Sequence, residues 1–314
     1  MMAQNRPKLK IIYRSKSHAP FWVVADKAGI WEKNSLAVDT SPLLAREKAV
    51  AALQKGHVDL ISGNHHNLYV RKAKNGEDFV HLAQAANNWI DNRMVVAGEI
   101  KSVQELRGKK VAVEKITGHA GLNVWLFLRQ EGLDTDKGDV ELVSRSGSPE
   151  ERWKGVLKGE FAATFVGTPH DRRAARAGAR VLRVRPMPMI RGVTLTTTMS
   201  FVKSNEEKIR RLIRGLVDAV HFFRTQKEET LKILKGHVAP MLNLQDDEEI
   251  KALYDEWDQS LERKPYPSPQ AIANVFQLAL RRDPEIADFS PLAMWDTHYV
   301  RELDDSGYID QLYR

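Results

Sequence analysis

Short apolar runs alternate with amphipathic stretches of helical period along roughly the first 190 residues, and this alternation restricts the possible folds more than any other feature. Leu9–Tyr13, Leu36–Asp39 and Val58–Ile61 read as strands. Between and after them, Pro20–Ile30, Ala45–Lys55 and Asn64–Lys74 read as helices, the last two ended by Gly56 and by Asn75-Gly76. Pro20 suits a first helical turn because its φ is already fixed there. Strands separated by helices of this length predict right-handed βαβ units and a parallel sheet. Phe79–Gln84 and Arg93–Ala97 are strand-like runs on either side of Asn87-Asn88-Trp89. A second series then begins. Its strands are Lys110–Val113, Val140–Val143, Phe161–Val166 and Val181–Val184, and its helices Gly118–Arg129, Pro149–Lys158 and Pro169–Ala177. Ser102 and Glu105 have the spacing of a capping box. Val193–Val202, rich in threonine and apolar residues, predicts one further strand. From Asn205 onward the pattern is helical, interrupted at Pro265-Tyr266-Pro267 and Pro284.

Two similar βα series within 314 residues predict an α/β protein of two lobes. The expected division is 8–88 plus 192–314 for the first lobe, which carries the helical tail, and 89–191 for the second. A cleft is expected between lobes joined by two crossings. In open α/β sheets ligands bind beyond the carboxyl ends of the strands, so function is expected in the loops that follow each strand.

Composition narrows the function classes. Lys and Arg exceed Asp and Glu by 48 to 41, a net charge of +7, which suits an anionic ligand. The basic run Arg172, Arg173, Arg176, Arg180, Arg183 and Arg185 lacks the aromatic interleaving of a single-strand nucleic-acid site and reads as a solvated face. Cysteine is absent, so disulfides, thiolate metal ligands and a cysteine nucleophile are excluded. No apolar run reaches the 18 or so residues of a membrane span. The polar start MMAQNRPKLK has no apolar signal core, which predicts a cytoplasmic protein as written, or a periplasmic one if a signal was removed.

Four strand-end loops carry the candidate chemistry: Ser15–Ala19, Ser62–His66, Lys115–His119 and Gly167–His170. Each feeds a helix start, where backbone N–H groups and the helix dipole favour an anion. Simple N-capping would account for any one loop alone. Together they give Ser17, His18, Asn64, His65, Thr117, His119, Thr168 and His170 as candidate ligand-binding residues. Five of the ten histidines fall here, His66 being the fifth and reading as structural because its neighbour points elsewhere. No HExxH or comparable spacing exists, so no metal and no cofactor is predicted. Trp89, beside Asn88 at the first crossing, can stack on a ligand. Arg191, near the second, can clamp a carboxylate or sulfonate with its guanidinium fork. The plainer readings are a surface or core tryptophan and a solvated arginine.

The order of segments resembles the sulfonate/nitrate/taurine-type solute-binding proteins of ABC transporters, within the thiamine-pyrimidine-synthase-like superfamily. The resemblance is carried by Ala19-Pro20-Phe21-Trp22 with Ala25–Trp31, by Ala51–Leu60, by Lys158–Ala163, by the closing Tyr299–Tyr313, and most specifically by Ile100–Val113. It implies a type II periplasmic-binding-protein fold, a small anionic ligand and an ABC permease as partner, with no nucleic acid and no membrane insertion. The same fold hosts fungal-type thiamine-pyrimidine synthases, which carry a cysteine-rich motif, and aryl-sulfinate desulfinases, which use a cysteine nucleophile with a histidine and an arginine where this chain has His65 and Arg71. Lacking cysteine, the chain departs from both. Two functions are therefore expected as alternatives. One is a binding component that takes up a sulfonate, carboxylate or similar molecule. The other is a cytoplasmic lyase, decarboxylase or desulfinase-like enzyme acting on an aromatic acid, with His65 or His119 as acid/base and Arg191 holding the carboxylate.

Overall fold

The structure, a computed structural model, describes residues 6–13, 15–42, 46–63, 66–87, 92–190 and 192–314. The chain forms two compact units, Met1–Asn88 with Pro188–Arg314, and Trp89–Met187. The first unit opens with β1 (Lys8–Tyr13), α1 (Ala19–Lys27), α2 (Ile30–Lys33), β2 (Ala37–Pro42), α3 (Arg46–Gln54), β3 (Leu60–Ser62), α4 (His66–Asn75) and β4 (Phe79–Gln84). The second contains β5 (Asn92–Val96), β6 (Lys110–Val113), α5 (His119–Gln130), β7 (Glu141–Ser144), α6 (Pro149–Leu157), β8 (Ala163–Gly167), α7 (His170–Arg176) and β9 (Arg180–Leu182). The chain then adds β10 (Thr194–Thr198) and α8 (Met199–Ser204) to the first unit. The helical tail follows as α9 (Glu206–Thr225), α10 (Lys227–Ile233), α11 (Ala239–Leu242), α12 (Asp247–Ser260), α13 (Pro269–Arg282), α14 (His298–Asp305) and α15 (Tyr308–Leu312).

The helix predicted over Pro20–Ile30 breaks in two. Gly29 adopts φ +67°, a left-handed conformation that suits glycine, and a short new turn begins at Ile30. This lets Trp22 and Trp31 stack at 5.7 Å, while Phe21 lies against Trp257 of α12 at 6.3 Å. Leu212, Ile213, Leu216 and Val220, spaced along one face of α9, complete this core. The second unit has its own core, in which Phe127 and Phe165 meet edge to face at 5.4 Å.

Each unit holds a five-stranded sheet, ordered β2-β1-β3-β10-β4 in one and β7-β6-β8-β5-β9 in the other. The order is the same, with β5 standing where β10 stands. Neither sheet is the parallel sheet that strand–helix alternation predicts. β10 runs antiparallel to β3 and β4, and β5 antiparallel to β8 and β9. β10 is reached from β9 of the other sheet through Pro186–Ile190, which holds no helix, so it does not close a strand–helix–strand unit of the kind that sets two strands parallel.

Two further expectations are corrected. The strand predicted over Val193–Val202 stops at Thr198, whose hydroxyl accepts the Phe201 N–H at 3.2 Å and caps α8. Ser102 and Glu105 do not make a capping box. Glu105 takes the Lys101 N–H at 3.0 Å and the Ser102 hydroxyl at 3.2 Å, leaving only a short 3₁₀ turn. The full reciprocal box forms instead at Ser148 and Glu151, ahead of α6.

The proline-rich break at 265–267 is an extended segment that grips the end of β4. Pro265 O accepts the Gln84 N–H at 2.9 Å, and Ala85 O accepts the Glu262 N–H at 2.8 Å. Asn87 is the centre of this grip. Its amide donates to Tyr266 O at 2.9 Å, its Oδ1 accepts the Ser268 N–H at 3.0 Å, and its carbonyl accepts the Met189 N–H at 2.6 Å. Asn87→Ala strands a buried donor and acceptor together, so unfolding in urea should show a loss of about 1–3 kcal/mol with an unchanged slope. An unmoved midpoint would mean that the asparagine bonds carry no net stability.

Candidate functional site

In the first unit the loop after β1 is a tight turn built by its own serines. Ser15 Oγ accepts the Ser17 N–H at 3.2 Å, and the two hydroxyls are 2.8 Å apart. The exposed Ser17 hydroxyl is thus already tied to Ser15. His18 follows as the residue before α1 and places no side-chain cap on that helix. Its ring lies against Gly192, where an added Cβ would fall 2.4 Å from His18 Cδ2. Gly192 is fixed in turn by a buried relay. Trp22 Nε1 donates to Ser62 Oγ at 2.9 Å, and Ser62 Oγ donates to Gly192 O at 2.7 Å. The end of β1, the end of β3 and the entry to β10 therefore meet around His18 and Gly192. His66 opens α4 and is fully buried, as the structural reading of it expects.

Asn64, His65, Trp89 and Arg191 lie outside the described residues. Arg71, matched by resemblance to a desulfinase arginine, is turned to other work. Its Nε donates to Glu77 at 2.8 Å and its Nη2 to Gln54 at 3.1 Å.

In the second unit the loop after β6 folds back over the first turn of α5. A Cβ on Gly121 would stand 2.3 Å from Lys115 O and 2.6 Å from Ile116 O, so only a glycine admits this approach. Thr117 is exposed at the tip. His119 is the first residue of α5, and Asn123, one turn on, donates to its Nε2 at 3.0 Å. That contact orients the imidazole from the next turn of the helix. No side chain caps α5, whereas α6 is capped by Ser148. Ser144 Oγ accepts the Ile116 N–H at 3.2 Å, joining the loops after β6 and β7. Thr168 precedes Pro169 through a cis peptide bond, and His170 opens α7 within electrostatic range of Glu150. Ser17 and His18 thus lie at strand ends of the first unit, and Thr117, His119, Thr168 and His170 at strand ends of the second.

Sequence reasoning missed the role of Gly121 and Gly192, whose only signal is a glycine beside a candidate loop. It also missed His81 on β4. That ring is 1% exposed and wedged against Tyr69 and Trp295, with Nδ1 2.8 Å from Thr196 Oγ1. Burial, helped by the nearby Lys72 ammonium, pushes its pKa down to about 3. Trp295 Nε1 donates to the Tyr69 hydroxyl at 3.0 Å, and burial drives the ionisation of that phenol well up. His81 is a neutral core residue. Among the described residues no group of three or more His, Asp or Glu side chains could hold a metal ion, and no helix is long and apolar enough to cross a membrane.

Two mixed five-stranded sheets, each with a strand inserted antiparallel at the same place, define the type II periplasmic-binding-protein fold. The NMT1/THI5-like family model matches residues 15–230, and the chain belongs to that family. No curated protein matches the chain. Among solved structures, the periplasmic aliphatic sulphonate binding protein SsuA of Escherichia coli is 20% identical over 89% of this chain and 94% of its own, with a TM-score of 0.68. A putative sulfonate ABC transporter periplasmic sulfonate-binding protein of Methylobacillus flagellatus is 15% identical, covers 96% of each chain and has a TM-score of 0.72. The desulfurization enzyme DszB is 14% identical over 96% of this chain and 99% of its own, with a TM-score of 0.63.

Two measurements test this local geometry. Glycine to alanine inside a helix ordinarily stabilises by up to about 1 kcal/mol. Gly121→Ala should instead destabilise by about 1–3 kcal/mol, because the added methyl meets backbone oxygens. A stabilised variant would show that the loop does not lie on α5. For His81 the folded-state pKa is depressed, so the unfolded chain binds the extra proton, and stability present above pH 6.5 falls as pH falls. From pH 7.5 to pH 5 the wild type should lose about 2 kcal/mol more than His81→Phe. Equal losses would show that His81 takes up a proton in the folded state.

Proposed function

We propose that the chain captures a small anionic organic molecule, a sulfonate, carboxylate or similar, and delivers it to an ABC-type permease as the binding component of an uptake system. The observation that carries this reading is the pairing of uncapped helix starts with donor-rich loops. α5 begins at His119 without a side-chain cap directly after Thr117-Gly118, so its first-turn N–H groups are not claimed by a capping side chain. α1 likewise begins uncapped after Ser17-His18, but there the Ala19 N–H is taken by Lys16 O and Pro20 has none, so α5 offers the fuller set of donors. Hydroxyl, imidazole and N–H donors around one anion make charge-assisted bonds, and histidine strengthens them by protonation. Family membership and the likeness to two sulphonate-binding proteins support the same reading. Asn64, His65, Thr168, His170, Trp89 and Arg191 complete the proposed binding set.

The likeness to DszB favours a second reading, an enzyme on this fold acting on an aromatic acid. With no cysteine available, its chemistry would fall to His65 or His119 as acid/base, with Arg191 holding the acid.

A thermal-shift screen of sulfonates, aromatic acids and pyrimidines separates the two, because a bound ligand stabilises in proportion to its occupancy. A binding component returns its ligand intact after prolonged incubation, and an enzyme consumes it. Histidine ordinarily titrates near pH 6.5, so affinity for the anion should rise as pH falls from about 8 to 6. His119→Ala should cost about 1.5–3 kcal/mol of binding. A screen that finds only cationic ligands, or an affinity indifferent to both pH and His119→Ala, contradicts the assignment.

A further inference from the structure

Arg152, in the first turn of α6, is 7% exposed. A guanidinium so far from water is costly unless its charge and its donors are matched. The matching by the protein is incomplete. Nη1 donates to Gly147 O at 3.1 Å. Among the described residues no carboxylate comes within ion-pair distance, and Glu114 and Glu151 act on it only from further away. The Glu151 carboxylate is already spent on the Ser148 N–H at 2.8 Å. Among the described residues Nε and Nη2 have no hydrogen-bond partner, yet they are not among the side-chain atoms sealed from solvent without one. Burial lowers the pKa of the guanidinium, which remains charged at any physiological pH.

The place of this group matters as much as its state. Gly147 lies in the loop after β7, which places the guanidinium beyond the carboxyl end of that strand, and Glu114, directly after β6, is within electrostatic range of it. The loop that holds it is constrained. Gly147 has φ +108°, and a Cβ there would fall 1.9 Å from Glu151 Oε2. The Gly147 carbonyl is thereby held where it takes one Arg152 nitrogen and leaves the opposite edge of the fork open.

We propose that Arg152 is the cationic wall of an oxyanion subsite within the second unit, its Nε and Nη2 edge taking a sulfonate or carboxylate group side-on through two parallel hydrogen bonds. This rests on the small-anion reading above and names the residue that supplies its charge. Glu114, exposed and within electrostatic range of the guanidinium, opposes an incoming anion and limits its affinity.

Isothermal titration at fixed ionic strength tests this with inorganic sulfate and with ethanesulfonate as probes, on wild type, Arg152→Gln, Arg152→Lys and Glu114→Gln. Arg152→Gln should weaken sulfate at least about tenfold. Arg152→Lys should recover only part of that loss, because an ammonium lacks the fork. Glu114→Gln should tighten sulfate about two- to threefold. Ethanesulfonate bound equally by wild type and a folded Arg152→Gln overturns the subsite and leaves the uptake reading standing. Sulfate binding that depends on Arg152, with ethanesulfonate and every other organic anion ignored by the wild type, leaves Arg152 a site for inorganic anions alone and overturns the sulfonate or carboxylate subsite together with that reading. A wild type that binds no sulfate overturns the subsite directly. Should Arg152→Gln not fold, unchanged sulfate affinity in Glu114→Gln is the result that overturns it.

Discussion

The insertion of β10 between β3 and β4 is the constraint on which the rest of the first unit depends. A strand that comes back after some 100 residues must find its register from side chains as well as backbone, and its threonines supply this. Thr194 bonds Gln84, Thr196 meets His81 Nδ1 at 2.8 Å, and Thr197 donates to Asp59 O at 2.7 Å. Thr198 then ends the strand by capping α8. Each hydroxyl is buried or partly buried and partnered, as a core polar group must be. A shift of one residue would break the whole set at once. The same insertion brings Gly192 to Ser62 and His18, so the strand that completes the sheet also completes the loop cluster at its end.

Much of this was legible in the sequence, for identifiable reasons. β1, β4 and β6 appear as apolar runs close to their observed bounds, because each is buried over most of its length and carries little polar alternation. Helix ends at Gly56, Gly76, Gly132 and Gly159 were readable because all four need the left-handed backbone that glycine adopts freely. The direction of β10 and β5 was not readable. Alternation of strand and helix is a local signal, and the antiparallel insertions are set by partners far along the chain. The helix α8 hid inside a β-favouring run because Thr198 reads as a strand residue until its hydroxyl is seen to cap.

Loop chemistry followed a similar division. Placement of Ser17, His18, Thr117, His119, Thr168 and His170 at strand ends follows from counting along βα units. What each side chain does locally does not follow from such counting. Ser17 is tied to Ser15, His119 is oriented by Asn123, and Arg71 is turned toward Glu77. Gly121 and Gly192 matter through the missing Cβ, which leaves no pattern in a single sequence. Arg152 was invisible for another reason. On the sequence it is one more basic residue on an amphipathic helix, and only its burial distinguishes it.

The central claim is that an anion is held by strand-end loops. It is tested most directly by hydrogen exchange read by mass spectrometry, with and without saturating ethanesulfonate. The account predicts slowed exchange confined to segments 15–19, 62–66, 115–119, 144–148 and 167–170, with the strands behind them unchanged because they are already protected. Protection centred elsewhere, such as on the helical tail 206–314, or no change at any of these loops while the ligand is bound, would contradict it.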